Sequence, residues 1–277
     1  MKIGKFHADG EDRIGVFDGE SVVDVSEQVT SFAELVTDPS AIDIDGPAFQ
    51  VSEIEYLPPV GRANTIFCAA LNYEAHAEES DIAVPEWPLV FLKLPQTLVG
   101  HEQPISYHTS VTSAIDYEAE LAAVIGTPAR HVTPEDALDH VAGYTILNDT
   151  SARDLQLGLE VGGDRLIDWF SGKAMEATTP VGPYVGVDDI DDPQSLQLSS
   201  RVNGETMQDE STAQMIQSVA DLVSFVSSRV TLQPGDIIAT GTPEGVGAFQ
   251  DITLDPDDTV TIELEGIGTL ENTVKSV

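Results

Sequence analysis

One cysteine in 277 residues, Cys68 in "TIFCAAL", leaves no internal disulfide framework, so a reducing, cytoplasmic location is expected and Cys68 reads as a small buried apolar residue. No apolar run approaches the roughly 20 residues a membrane-crossing helix needs. The opening "MKIGKFHADGEDRIG" has no apolar leader core. Basic residues are scarce, 12 against 48 acidic, for a formal charge of −36. Such a surface repels nucleic acid and anionic lipid, and neither is expected as a partner. The acids are scattered ("DDIDDP", "DPDDT", "EDALDH") rather than gathered in a tail. This pattern reads as halophilic adaptation, since high salt screens the self-repulsion. A lone Asp or Glu is therefore a weak signal here, and a basic residue in an apolar context a strong one. No His/Cys set has zinc spacing, and neither a P-loop lysine nor GxGxxG is present, which argues against nucleotide binding.

What is present is a hydrophobic fraction of 41%, enough for a real core. Residues 1–58 read as a small β-rich unit, with strands at "RIGVFDG" and "SVVDVSE" around a "DGE" turn and a short helix near "SFAELV". "LPPVGRAN" marks a boundary, and a larger domain is expected over residues 63–277. There, strands are expected at "TIFCAAL", "VFLKL", "AELAAVIG", "VAGYTILND", "GPYVGV", "LQLSSRVNG", "DIIATG" and "DTVTIELEGIGTLENTV". Helices are expected at "NYEAHAEES", "TPEDALDHV", around Ser151–Leu159 and along "STAQMIQSVADLVSFVSS". Few helices among many strands indicate an α+β, β-rich class with a curved or rolled sheet.

Four groups carry possible chemistry. In "SAIDYEAELAAVIG", Asp116, Glu118 and Glu120 recur every second residue, which on a strand aims all three at one face. With Asp149, at the end of the apolar strand "AGYTILND", Glu118 and Glu120 supply three oxygen ligands suited to Mg²⁺ or Mn²⁺, while Asp116 is placed to cap or support. A solvated acidic face is the competing reading. In "LNYEAHAEES", His76 and Glu79 share a helix face, so the carboxylate can orient the imidazole as a general base; a plain surface helix is the alternative. Lys173, in "DWFSGKAMEATTPVGP", can stabilise an oxyanion or enolate, and Lys93, within the apolar "VFLKLPQ", can line the same pocket. In "GDIIATGTPEGVG", glycines let backbone N–H groups approach an anion, with Thr240 or Thr242 as hydroxyl donors to a substrate carboxylate.

Taken in order, "LNYEAHAEE", "DYEAELAAVIG", "AGYTILNDTSARDLQ", "SGKAMEATTPVGP", "VNGETMQ", "LQPGDIIATGTPEGVG" and "IELEGIGTLENTV" resemble the fumarylacetoacetate hydrolase family across most of residues 65–277. The resemblance implies a mixed β-sandwich roll, a homodimer, and Mg²⁺ or Mn²⁺ on Glu118, Glu120 and Asp149. It further implies a water-activating pair, His76 and Glu79, on a lid, with Lys173 stabilising an enolate and Gln156 and Thr242 contacting substrate oxygens. Two departures stand out: Glu176 where relatives often have Asp, and Ala70 where they often have Gly. The implied substrate is a small-molecule 2-oxo acid. The presence of the His–Glu pair favours hydrolysis of a C–C bond in an acylpyruvate. The alternatives are isomerisation of a hydroxymuconate-type diacid, oxaloacetate decarboxylation and, further off, sugar-acid dehydration or a non-catalytic cation-binding protein.

Overall fold

The computed structural model describes residues 1–61 and 63–277; Arg62, inside the proline- and glycine-rich boundary segment, lies outside them. Among the described residues, twelve strands form one large mixed sheet. Its central part comprises β1 (Lys2–Ala8), β2 (Ile66–Ala70), β3 (Leu89–Lys93), β4 (Ala119–Ile125), β5 (Val141–Asn148), β6 (Thr179–Gly186) and β7 (Ile237–Ala239), hydrogen-bonded in the order β1-β6-β5-β4-β7-β2-β3. A five-stranded sheet, running in order through Glu205–Ser211, Gln197–Val202, Thr259–Leu264, Gly268–Ser276 and Ile105–Tyr107, packs on one face. The molecule is the β-rich α+β roll expected.

The apolar run of β4 is explained by burial on both faces. Leu121, Ala123 and Ile125 enter the core shared with Leu198, Ile262 and Leu270 of the second sheet. The alternate residues Ala122 and Val124 enter a core on the other side, with Phe32, Leu35 and Val36 of the helix Phe32–Thr37. A strand covered twice has no polar face, so the period-2 signal vanishes where the acids end.

The N-terminal unit includes a strand not foreseen from the sequence. β1 pairs with Glu11–Asp18 on one side and with β6 on the other (Ile3 opposite Val185), so the N-terminal strands extend the large sheet. Two other expectations change. The helix expected along residues 211–228 spans only Val219–Ser227: Ser218 and Asp221 form a reciprocal capping box that fixes its start. The acidic strand is also interrupted. Ile115–Asp116 pairs with Ser151–Ala152, and the main ladder begins only at Ala119. Between them the Glu118 N–H donates to the Asn148 side chain (2.9 Å) and its carbonyl accepts from the Asp149 N–H (2.9 Å).

Candidate active site

Strand directions bring the chemistry to one end of the large sheet. β5 ends beside the start of β4 (Ala119 opposite Asn148). Antiparallel to β4, β7 ends next to Glu120, and β2, parallel to β7, ends where the helix Glu74–Glu79 begins. β6 starts close by, antiparallel to β5, just after the helix Trp169–Lys173. Ligand oxygens of Glu118, Glu120 and Asp149 therefore lie within 4.8 Å of one another, all buried. The solvated-face reading of these acids is excluded by that burial.

Three cations face the triad. Lys173 Nζ donates to Glu118 Oε2 (2.9 Å), Asp149 Oδ2 (2.7 Å) and the Asp149 carbonyl (3.1 Å). Arg153 donates through Nη2 to Glu118 Oε1 (2.6 Å), through Nε to Asp116 Oδ2 (2.7 Å) and through Nη1 to Gln156 Oε1 (2.8 Å). Lys93 donates to Asp149 Oδ1 (2.6 Å) and the Thr150 carbonyl (2.9 Å). Lys93 thus departs from its expected place: it does not line the cavity, and its ammonium is committed to a carboxylate of the triad.

Compensation is uneven. Burial pushes the Glu118 carboxyl up, but the ammonium of Lys173 and the guanidinium of Arg153 outweigh it and hold it well below the usual carboxylate range. Glu120 receives only the Gly241 N–H (3.0 Å). Burial, with the charges of Asp149 and Glu118 beside it, drives its carboxyl well above the usual range. A buried carboxylate with no ion pair or cationic hydrogen bond among the described residues, at the corner of an all-oxygen donor set, fits a hard divalent cation. The triad can hold one.

His76 Nδ1 lies 2.7 Å from Glu79 Oε1. A carboxylate only accepts, so Nδ1 carries the proton and Nε2 keeps its lone pair. Glu79 is held in turn by the Gly245 N–H on Oε2 (3.1 Å). Gly247 and Ala248 donate N–H groups to Asp116 (2.8 and 3.1 Å), which supports Arg153. The glycine loop was expected to meet an external anion. Instead Gly241, Gly245 and Gly247 direct their N–H groups to the protein's own Glu120, Glu79 and Asp116. Gly245 is obligatory: its φ is +96°, and a Cβ there would lie 2.2 Å from the Met207 carbonyl oxygen.

Among the described residues, the cavity of about 100 Å³ next to the triad is lined by His76, Glu118, Arg153, Gln156, Lys173 and Thr242, together with an apolar wall. Thr242 Oγ1 accepts from Gln208 Nε2 (2.8 Å), leaving its own hydrogen to donate. Thr240 is spent on the Leu121 carbonyl (2.9 Å). Gly172 allows the lysine helix to close on Gln156, whose Cβ would sit 2.4 Å from a Cβ at that position. Of the two sequence departures, Ala70 lines the cavity and Glu176 is exposed. Sequence reasoning missed Arg153 and Gln208. Arg153 is a rare basic residue just past an apolar strand, the signal that the acidic composition makes informative; Gln208 carries no such mark.

A sequence model described as the fumarylacetoacetate hydrolase C-terminal domain matches residues 65–275, and the chain belongs to that family. The chain is 39% identical over 265 residues to oxaloacetate tautomerase YisK of Bacillus subtilis, covering 94% of this chain and 84% of that protein. The solved fumarylacetoacetate hydrolase of Exiguobacterium antarcticum is similar over the full length of both chains, with a TM-score of 0.87 and 38% identity. The 5-carboxymethyl-2-hydroxymuconate delta-isomerase of Mycobacterium smegmatis superposes with a TM-score of 0.81 and 32% identity, covering 100% of this chain and 99% of that one.

Proposed function

We propose that this protein is a divalent-metal-dependent enzyme that interconverts the keto and enol forms of a 2-oxo acid. The observation that carries the reading is a single cavity onto which Glu118 of the buried triad, Lys173 and His76, itself held by Glu79, all open. The tautomerase and isomerase named among similar proteins support it, since both names describe proton relocation without loss of carbon.

Mg²⁺ or Mn²⁺ held by Glu118, Glu120 and Asp149 would supply Lewis-acid stabilisation of a 2-oxo acid's enolate. His76 takes the proton from the carbon next to the keto group through Nε2, and Glu79 stabilises the imidazolium formed. The same nitrogen then delivers that proton to the enolate oxygen to give the enol, and in the reverse direction it takes the enol O–H proton and returns it to the carbon. Lys173 places a fixed positive charge beside the developing enolate, and Gln156 and Thr242 orient the substrate carboxylate with the amide and hydroxyl they leave free.

The same pair supports a second reading, C–C hydrolysis: His76 with a free Nε2 is equally equipped to deprotonate a water that attacks the C4 carbonyl of an acylpyruvate. One experiment separates the two. Oxaloacetate and acetylpyruvate are supplied as enols to the metal-loaded protein in molar KCl, and decay of the enol absorbance is followed alongside pyruvate and CO₂ release. Faster enol decay without pyruvate supports the tautomerase; pyruvate and acetate from acetylpyruvate establish the hydrolase; CO₂ from oxaloacetate makes it a decarboxylase. A folded, metal-loaded protein that changes none of these rates sinks the reading.

A further inference from the structure

The inner and outer parts of the cavity differ in chemistry. Among the described residues, the lysine and arginine lining it, Arg153 and Lys173, are committed: Lys173 uses its three donors on Glu118 and Asp149, and Arg153 bridges Asp116, Glu118 and Gln156. Beyond them the wall carries no charge of either sign among the described residues. It presents Ile82, Leu89, Leu157, Ile167 and Phe249, each 39–44% exposed. Phe91 and Trp169, stacked at 4.5 Å, line the same cavity. Arg165 does not line this cavity; it sits opposite Glu160 on the exposed hairpin and shares with Glu160 the neighbouring cleft that Arg153 and Leu157 also border. These exposed apolar side chains gather at the mouth of the cavity, on a chain of net charge −36.

We infer that Ile82, Leu89, Leu157, Ile167 and Phe249 form a pocket for the far end of a longer substrate tail, selecting an uncharged hydrocarbon there over a distal carboxylate; the C4 carboxylate of a short acid such as oxaloacetate stays in the inner, polar part and does not reach it. The inference rests on the 2-oxo acid reading of the site. A distal carboxylate would be partly desolvated against these apolar groups, and among the described residues no uncommitted cation lines the wall to meet it. A methylene in the same place gains from burial. The acidic surface adds a separate penalty on each extra negative charge, one that salt removes because the screening length falls to about 3 Å at 1 M.

The test uses pairs differing only at the tail: 2-oxohexanoate against 2-oxoadipate for binding by calorimetry to the Mg²⁺-loaded protein, and the corresponding 2,4-dioxo acids for turnover. The measurements are made at low and at molar KCl. The expected result is an advantage of about 100-fold or more for the alkyl tail. It should grow about fourfold with each methylene added until the pocket is full, and most of it should survive in molar salt. Leu157→Arg and Ile82→Arg should narrow the ratio by improving the diacid. Diacids bound or turned over as well as their alkyl partners would overturn the inference while leaving the 2-oxo acid reading intact. A preference that disappears in molar salt also overturns it, since selection then belongs to the surface field. Failure of the metal-loaded protein to bind either member of the pair overturns both.

Discussion

Two arginine–carboxylate centres in this molecule use the same groups to different ends. In the N-terminal unit, Arg13 donates to Asp24 (2.5 Å) and Glu11 (2.9 Å), and Asp24 also accepts the Ser26 N–H (2.9 Å). Burial pushes the Asp24 carboxyl up, but the Ser26 hydrogen bonds and Arg13 bring it below its usual range. That centre is balanced: the buried carboxylate has its cation and wants nothing further. Around Arg153, three cations meet four buried acids, Asp116, Glu118, Glu120 and Asp149, and one of them, Glu120, has no cation. A balanced pair stabilises a fold, whereas a deficit held in place by that fold recruits a ligand.

The largest expected effect removes the deficit. Glu120→Gln should weaken Mg²⁺ or Mn²⁺ binding in calorimetry and lower turnover by about 10³-fold, with the metal-free melting temperature unchanged or higher, because the amide removes a buried group whose ionised form burial and its acidic neighbours disfavour. A variant that still binds metal with wild-type affinity would break the comparison. Next is His76→Ala, expected to lose about 10²–10⁴-fold in turnover while metal affinity stays as it was; joint loss of both would show that the pair and the triad are one unit.

Glycine gives the third contrast. Gly245→Ala collides with the Met207 carbonyl, should cost about 3 kcal/mol in denaturant unfolding, and should depress turnover by displacing Glu79. Gly19→Ala, at φ +57° with nothing within 4 Å, should cost about 1 kcal/mol and leave turnover alone. The smallest effect concerns Asp24. A carboxyl whose pKa is lower folded than unfolded contributes stability above the unfolded value, which is lost as pH falls through the folded one. Thermal melts should therefore show a small loss of stability on acidification below the usual carboxylate range. Asp24→Asn should remove that loss without altering turnover near neutral pH.

Local spacing made several elements readable in advance. The period-2 acids ending in an apolar run placed Glu118 and Glu120 at the mouth of a buried strand, and the i, i+3 spacing of His76 and Glu79 placed both on one helical turn. β1 was missed because its partners, residues 11–18 and 179–186, include one more than 170 residues away. The strand break at Tyr117–Glu118 was missed because it depends on the Asn148 side chain taking a ladder bond.

By itself, then, the sequence determined the chemical inventory: three carboxylates able to hold a hard cation, an imidazole with a carboxylate one helical turn away, a lysine among apolar neighbours, and a strongly acidic composition. These are properties of residue type and short-range period, which the chain carries before it folds. Only the tertiary structure decided who pairs with whom. Lys93 to Asp149, Arg153 to Asp116 and Glu118, and the glycine loop to Glu120, Glu79 and Asp116 are contacts between segments tens to well over a hundred residues apart. The physical reason is desolvation: once the sheet buries these acids each must find a donor, and the ends of neighbouring strands, not neighbours in sequence, set which donor is within reach.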